Sequence, residues 1–299
     1  MSGLPAAVRD SVEAARPGRS VAALTPVTGG CVNHGARLRW DDGVEHFLKW
    51  NPSAPPGIFV AEADGLGALA EAAARGGAGL RVPEPVDHGE TPAGAWLLCA
   101  WVGPGREASG FPARFGQALA RLHDAPAAAD FGWERDNWIG SLPQENRPGA
   151  DWPAFWRDRR ITPQLERARA RGRCTDPIFD RFVDRLPEAL ADVGAPSLLH
   201  GDLWSGNAWA GPEGAPVVAD PAVYRGHGEV DLAMTELFGG FGPDFYRGYA
   251  RVRPIDGAYE SHRRDTYQLY YLLVHVNLFG ASYEPGARAA ADRVRRALG

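Results

Sequence analysis

Lysine is almost missing from this 299-residue chain. Of 32 lysine and arginine residues, one is a lysine, Lys49, and the rest are arginines. The abundance of Ala, Gly, Pro and Arg suggests a GC-rich coding sequence, which favours arginine codons and accounts for the shortage. It does not account for the survivor. The two cations part company where a compact ammonium must occupy a point instead of presenting a planar fork. Cysteine is also scarce. Cys31, Cys99 and Cys174 are too few for a disulfide framework and show no CxxC or His/Cys metal spacing. No apolar run approaches the roughly 18–20 residues needed to cross a bilayer. Residues 1–20 mix charges around no apolar core, so no secretory leader is expected. Positive charge is in deficit, with a formal net charge of −5, which argues against nucleic acid or an acidic membrane surface as a partner. These absences lead to the expectation of a soluble, cytoplasmic protein without a structural metal.

What is present is ordinary in proportion, 44% hydrophobic and 23% charged, and long enough for a two-lobed unit with a large core. Lys49 stands in Val44-Glu45-His46-Phe47-Leu48-Lys49-Trp50, a strand-like run. It follows Arg37-Leu38-Arg39-Trp40 across the turn signal Asp41-Asp42-Gly43, the pattern of a hairpin. Upstream, Thr28-Gly29-Gly30-Cys31-Val32-Asn33-His34-Gly35 can bend tightly and turn backbone N–H groups toward a phosphate, although a plain hairpin turn has the same composition. Downstream, residues 58–74 read as a helix carrying Glu62, a partner for the strand lysine or a member of a solvated face.

The second cluster is Leu198-Leu199-His200-Gly201-Asp202-Leu203-Trp204-Ser205-Gly206-Asn207, followed by Val217-Val218-Ala219-Asp220-Pro221-Ala222. Two short apolar strands deliver two carboxylates and an amide onto neighbouring loops. Asp and Asn populate ordinary turns, but together Asn207 and Asp220 are suitable oxygen ligands for Mg²⁺, which takes one or two carboxylates and substrate phosphates. Asp202 can orient and deprotonate a hydroxyl nucleophile. A Gly-rich loop, a strand lysine, a helix glutamate, a loop Asp with Asn and a metal Asp, in that order, are the components of phosphoryl transfer from ATP.

At these residues the chain resembles the protein-kinase-like phosphotransferases with a His-Gly-Asp loop, such as aminoglycoside and choline kinases. The wording of 198–207 and of Asp220-Pro221-Ala222 goes further, as do Tyr224-Arg225-Gly226-His227-Gly228-Glu229-Val230-Asp231 and Leu237-Phe238-Gly239-Gly240-Phe241. With Asp136-Asn137-Trp138-Ile139-Gly140, Pro143-Gln144-Glu145-Asn146 and Arg159-Arg160-Ile161-Thr162-Pro163-Gln164-Leu165, they resemble the fructosamine kinase (ketosamine-3-kinase) family over nearly the whole chain.

The resemblance implies an α+β, two-lobed protein-kinase-like fold. A small β-rich lobe over residues 1–100 would bind ATP, and a mostly helical lobe over 101–299 would carry catalysis and the acceptor. Expected helices of the second lobe are 111–124, 152–172, 177–193, 229–238, 261–279 and 285–298. Residues 125–149, rich in Pro, Gly, Asn and Trp, form a candidate substrate loop or a surface connection. In this reading Gly29, Gly30 and Asn33 cover the phosphates, and Lys49, oriented by Glu62, holds them. Cys99 and Trp101 mark the hinge against adenine, Asn207 and Asp220 hold Mg²⁺, and Asp202 is the base. Asp231 braces the catalytic loop, and His200 bonds the backbone around it. The acceptor implied is the 3-hydroxyl of a ketosamine, a sugar adduct on a free or protein amine, whose phosphorylation loosens the adduct and restores the amine. Trp138 and Trp204 are candidates to stack on the sugar, or to pack in the core. Cys31, by resemblance, is a candidate redox cross-link between two chains. Other readings are a different small-molecule hydroxyl kinase, or a nucleotide-binding scaffold without turnover. Ribulosamine, erythrulosamine and fructosamine are not distinguished.

Overall fold

The computed structural model describes residues 4–27 and 32–299; Gly29, Gly30 and Cys31 lie outside them. The first lobe opens with helix α1 (Ala6–Ala14), then strands β1 (Val21–Pro26), β2 (His34–Trp40) and β3 (Glu45–Asn51). Helix α2 (Ile58–Arg75) and strands β4 (Pro85–Thr91) and β5 (Gly94–Ala100) complete it. The five strands form one antiparallel sheet in the order β1-β2-β3-β5-β4. The turn expected at residues 41–43 joins β2 to β3, with Gly43 in the left-handed region at φ 83°.

The two-residue period of a strand divides β3 between two cores. Leu48 and Trp50 pack with Val8, Val12, Leu38 and Trp96 on the α1 side. Phe47 packs on the other face among Ile58, Phe59, Leu66, Leu97 and Cys99. Lys49 is two residues on from Phe47, so it faces α2 as well. In α2, Ile58, Phe59, Glu62 and Leu66 recur at helical spacing, which aims Glu62 at the sheet with the apolar stripe.

The second lobe holds helix α3 (Phe111–Asp124), a small hairpin of β6 (Asn137–Ile139) and β7 (Leu142–Gln144), and helices α4 (Trp152–Trp156), α5 (Thr162–Arg169) and α6 (Ile178–Ala189). Strands β8 (Ser197–Leu199), β9 (Ala208–Ala210), β10 (Pro216–Val218) and β11 (Tyr224–Gly226) follow. Helices α7 (Glu229–Leu237), α8 (Pro243–Ala250), α9 (Arg264–Phe279) and α10 (Glu284–Ala297) close the chain. Helix α9 is the axis of this lobe, with Leu269, Tyr270, Tyr271, Leu273, Val274 and Val276 buried. The α+β, two-lobed kinase-like arrangement expected from the sequence is the one observed.

The helix expected over 152–172 is broken in character. A π-helical turn, Arg157–Ile161, separates α4 from α5, and a second, Tyr259–Arg263, precedes α9. The wider turn carries Arg160 into the core, where it is fully buried. Helix α8 is an addition to the expected set. The candidate substrate loop 125–149 is non-helical as read and contains the β6–β7 hairpin. No helix among the described residues is long and apolar enough to cross a membrane.

Candidate active site

The loop from His200 to Asn207 leaves β8, and residues 219–223 return to β11. These two strands pair antiparallel, Leu199 opposite Tyr224, so the two loops emerge side by side. Ala222 N donates to His200 O at 2.9 Å. Gly201 is confined to glycine at this crossing. Its φ is 81°, and a Cβ there would meet Ala222 O at 2.1 Å.

Asp231, in the first turn of α7, clamps the loop from beneath. Its Oδ2 accepts from His200 N and its Oδ1 from Gly201 N, each at 2.8 Å. His123 Nε2 lies 3.1 Å from Oδ2, and His123 Nδ1 lies 2.9 Å from the Tyr249 hydroxyl. Burial would raise the Asp231 carboxyl, but these bonds and the neighbouring imidazoles hold it below the usual range. The tautomer of His200 follows from its partners. Asp202 N donates to Nδ1 at 3.2 Å, so Nε2 carries the hydrogen given to Ala219 O at 3.0 Å. Burial keeps this imidazole neutral. Asp231 and His200 thus hold the loop, as the sequence suggested.

Above this brace the polar residues converge. Lys49 Nζ donates to both Glu62 oxygens, at 2.9 and 2.8 Å, and to Asp220 Oδ1. Burial works against the ammonium charge, but the two carboxylates outweigh it and hold the Lys49 pKa above its ordinary value. Asn207 Nδ2 donates to Asp202 O at 3.0 Å and to Asp220 O at 3.4 Å, tying the two loops together. Asp220 has φ 60°, a left-handed conformation that Asp tolerates better than most residues. Burial, and then the charge of Asp220, push the Asp202 carboxyl up to about 8 against the pull of Lys49.

Two clefts open from this point. The narrower, about 340 Å³, is lined by Lys49, Glu62, Cys99, Trp101, Asn207, Trp209 and Asp220. The wider, about 660 Å³, is lined by Asp202, Trp138, Trp204 and a largely apolar wall. Asn33 borders both, its Oδ1 accepting from Asn51 Nδ2 at 3.0 Å. Trp204 lies over Gly206, where a Cβ would meet the ring at 2.2 Å. Every candidate site residue within the described part therefore borders one cleft or both.

A third layer was visible in the sequence only as unexplained wording. The fully buried Arg160 donates through Nη2 to Asn146 Oδ1 at 2.7 Å and through Nη1 to Glu145 O at 2.6 Å. Its guanidinium stacks over Tyr224 at 3.9 Å and Phe155 at 4.8 Å. Asn146 Nδ2 donates to Asn137 Oδ1 at 2.8 Å, and Asn137 Nδ2 donates to Val223 O at 2.8 Å. Gln144 Nε2 donates to Asn137 Oδ1 at 2.8 Å and to Ala222 O at 3.2 Å. The chain of bonds ends on the backbone just after Asp220, so it is a frame for the loop that carries that carboxylate.

The fructosamine kinase family model matches residues 6–297. A protein named as a probable ketoamine kinase in Synechocystis is 42% identical over 264 residues, 88% of this chain and 86% of its own length. A chloroplastic protein-ribulosamine 3-kinase of Arabidopsis thaliana is 38% identical over 283 residues, covering 91% of this chain and 82% of its own. A crystal structure from Thermobifida fusca, provisionally assigned as a fructosamine-3-kinase, superposes with a TM-score of 0.82 at 35% identity, covering 97% of this chain and 98% of that one. With the loop from His200 to Asn207 braced, a buried strand lysine and two clefts meeting at Asp220, the chain belongs to the fructosamine kinase family of ATP-dependent kinases.

Proposed function

We propose that this kinase transfers the γ-phosphoryl group of ATP to the 3-hydroxyl of a ketosamine, in free or protein-bound form, as a deglycation step. The convergence of Lys49, Asp202, Asn207 and Asp220 where the two clefts meet carries this reading, and the names of the relatives supply the acceptor class. The first lobe, residues 1–100, binds ATP in the narrower cleft between Cys99, Trp101 and Trp209, and Lys49 contacts its phosphates. The second lobe, residues 101–299, holds the acceptor in the wider cleft, where Trp138 and Trp204 face the sugar.

Glu62, Asp202 and Asp220 face one ammonium, so the corner carries more acid than base, and a divalent cation suits that balance. Asn207 and Asp220 supply the side-chain oxygens that would hold Mg²⁺, which when bound neutralises phosphate charge. The acceptor oxygen forms its bond to the γ-phosphorus as the bond to the bridging β-oxygen breaks and ADP leaves. In its ionised form, which a pKa of about 8 makes the minority at pH 7, Asp202 orients the hydroxyl and takes its proton. Lys49 balances charge on the phosphates, and Glu62 keeps the ammonium aimed into the cleft. Since the transition state is loose, positioning and charge neutralisation supply most of the rate.

The test is incubation with ATP, Mg²⁺ and synthetic ribulose and fructose adducts of an amine, with product followed by phosphorus NMR. One phosphoryl group on the 3-oxygen, with equimolar ADP, is expected. Phosphorylation of choline or an aminoglycoside instead, or no acceptor-dependent ADP, overturns the reading.

A further inference from the structure

The wider cleft is larger than the reacting end of a sugar requires, and its outer half has a distinct chemistry. Helix α9 supplies one wall. The Tyr271 hydroxyl donates to Gly201 O at 2.8 Å, which fixes that turn of the helix against the catalytic loop. Val274, His275, Leu278 and Phe279 follow on the same face and line the cleft. Phe279 stands two turns beyond Tyr271, about 12 Å along the axis. There the His275 ring packs against three others, with centroids 4.7 Å from Phe238, 5.3 Å from Phe279 and 5.0 Å from Tyr283. Phe238 and Phe279 are 41% and 48% exposed, the two exposed large aromatics among the described residues. Both stand at this one mouth.

Charge is distributed just as unevenly. The carboxylates of the cleft, Glu62, Asp202 and Asp220, are those of the catalytic corner, and no lysine or arginine lines it among the described residues. His275 is held below its ordinary pKa by burial, so the outer wall is neutral near pH 7.

We propose that the rings of Phe238, His275, Phe279 and Tyr283 form a subsite for the amine substituent of the acceptor, selecting alkyl or aryl N-substituents over carboxylate-bearing ones. The inference rests on the ketosamine reading above. With the 3-hydroxyl at Asp202, the amine nitrogen stands on C1, two carbons away, and the cleft offers room for its substituent along the α9 wall. An alkyl or benzyl group there covers aromatic surface that is otherwise wet, which favours binding in proportion to the apolar area removed from water. A carboxylate close to the nitrogen meets no cation and faces the acidic corner. The methylene stem of a modified lysine belongs to the favoured class, and the glycine adduct to the disfavoured one.

The experiment compares kcat/KM for the benzylamine, butylamine and glycine adducts of one sugar, in wild type, Phe279→Ser, Phe238→Ser and Phe279→Leu. Val44→Ser, an exposed hydrophobic position outside both clefts, serves as control. Wild type is expected to favour the benzyl over the glycine adduct by about tenfold or more. Each serine variant should bring that ratio toward one, with the loss carried by KM for the benzyl adduct. Phe279→Leu and Val44→Ser should keep the preference. Turnover of all three adducts at similar kcat/KM overturns this inference and leaves the ketosamine reading standing. Turnover of no ketosamine overturns both. A dimer that Phe279→Ser dissociates would make the patch an interface between copies, and would also overturn it.

Discussion

The cleft containing Lys49 and the cleft ending at Phe279 share Asn33, Glu62, Asn207 and Asp220, and differ in almost everything else. The first is narrow and organised around fixed charge, with the lysine locked between two carboxylates before any ligand arrives. The second is about twice as large and apolar over most of its length, with its charge confined to the inner end. On the proposed assignment, ATP in the narrower cleft presents the same anionic phosphates in every turnover, so that side can be rigid and charge-matched. The acceptor varies beyond its reacting hydroxyl, and there the protein offers surface instead of specific partners. In both clefts the candidate reacting groups are held by residues that line neither cleft, Asp231 in its clamp and Arg160 in its frame.

The largest effect expected separates the two clefts outright. Asp202→Asn should lower kcat by about 10³–10⁴-fold, with nucleotide affinity, measured by fluorescent ATP-analogue titration, nearly unchanged. A parallel loss of nucleotide binding would mean that the clefts do not work independently. Next is Lys49→Arg. A guanidinium fork in place of a buried ammonium shared by Glu62 and Asp220 should cost about 10²-fold in kcat/KM, roughly 2.7 kcal/mol. An amine-directed ATP analogue should label Lys49 in wild type, and ATP should block the reaction. Full activity in the arginine variant would remove the basis for calling this cleft charge-matched.

Arg160→Met tests the frame. It leaves Asn146 Oδ1 without its donor and should cost about 2–3 kcal/mol in urea unfolding. Turnover should fall more than ATP affinity, because the bonds end next to Asp220 and not in the nucleotide cleft. The smallest effect is a pH dependence set by three buried histidines that line neither cleft. Burial lowers the His227 pKa to about 3 and also lowers those of His123 and His200. Between the folded and unfolded values the unfolded chain binds more protons, so stability falls as pH drops below about 6.5. Each such histidine adds about 1.4 kcal/mol per pH unit, until the pH passes its own folded value. His227→Gln should remove one share of that slope in denaturation midpoints taken from pH 7 to 5.

The candidate catalytic corner was legible because its chemistry is carried by few residue types at short spacing. Asp202, Asn207 and Asp220 sit on loops from adjacent strands, and Lys49 announces itself as the lone lysine of a strand. The paired face of β3 and the stripe on α2 followed from periods of two and 3.6. The Arg160 frame is not legible as a mechanism, although its motifs stand in the sequence, because its bonds join residues from β6, β7, the segment just after it and the first π-turn that no sequence window holds together. The π-turns escape a helical period, and α8 is short, preceded by Gly239, Gly240 and Gly242 and containing Gly248. The aromatic mouth is assembled from the end of α7, the face of α9 and the turn before α10, so no local pattern marks it. Gly29, Gly30 and Cys31, read as phosphate loop and redox site, remain expectations outside the described residues.

The solitary lysine has a consequence beyond catalysis. Reducing sugars condense with exposed, uncharged amines. The one lysine amine of this chain is 5% exposed and held as a cation between Glu62 and Asp220. Every other long basic side chain ends in a guanidinium. In the proposed role the protein works among sugars and the adducts they leave on amines. It offers them no accessible lysine of its own, so a reducing sugar finds no lysine on its surface to attack.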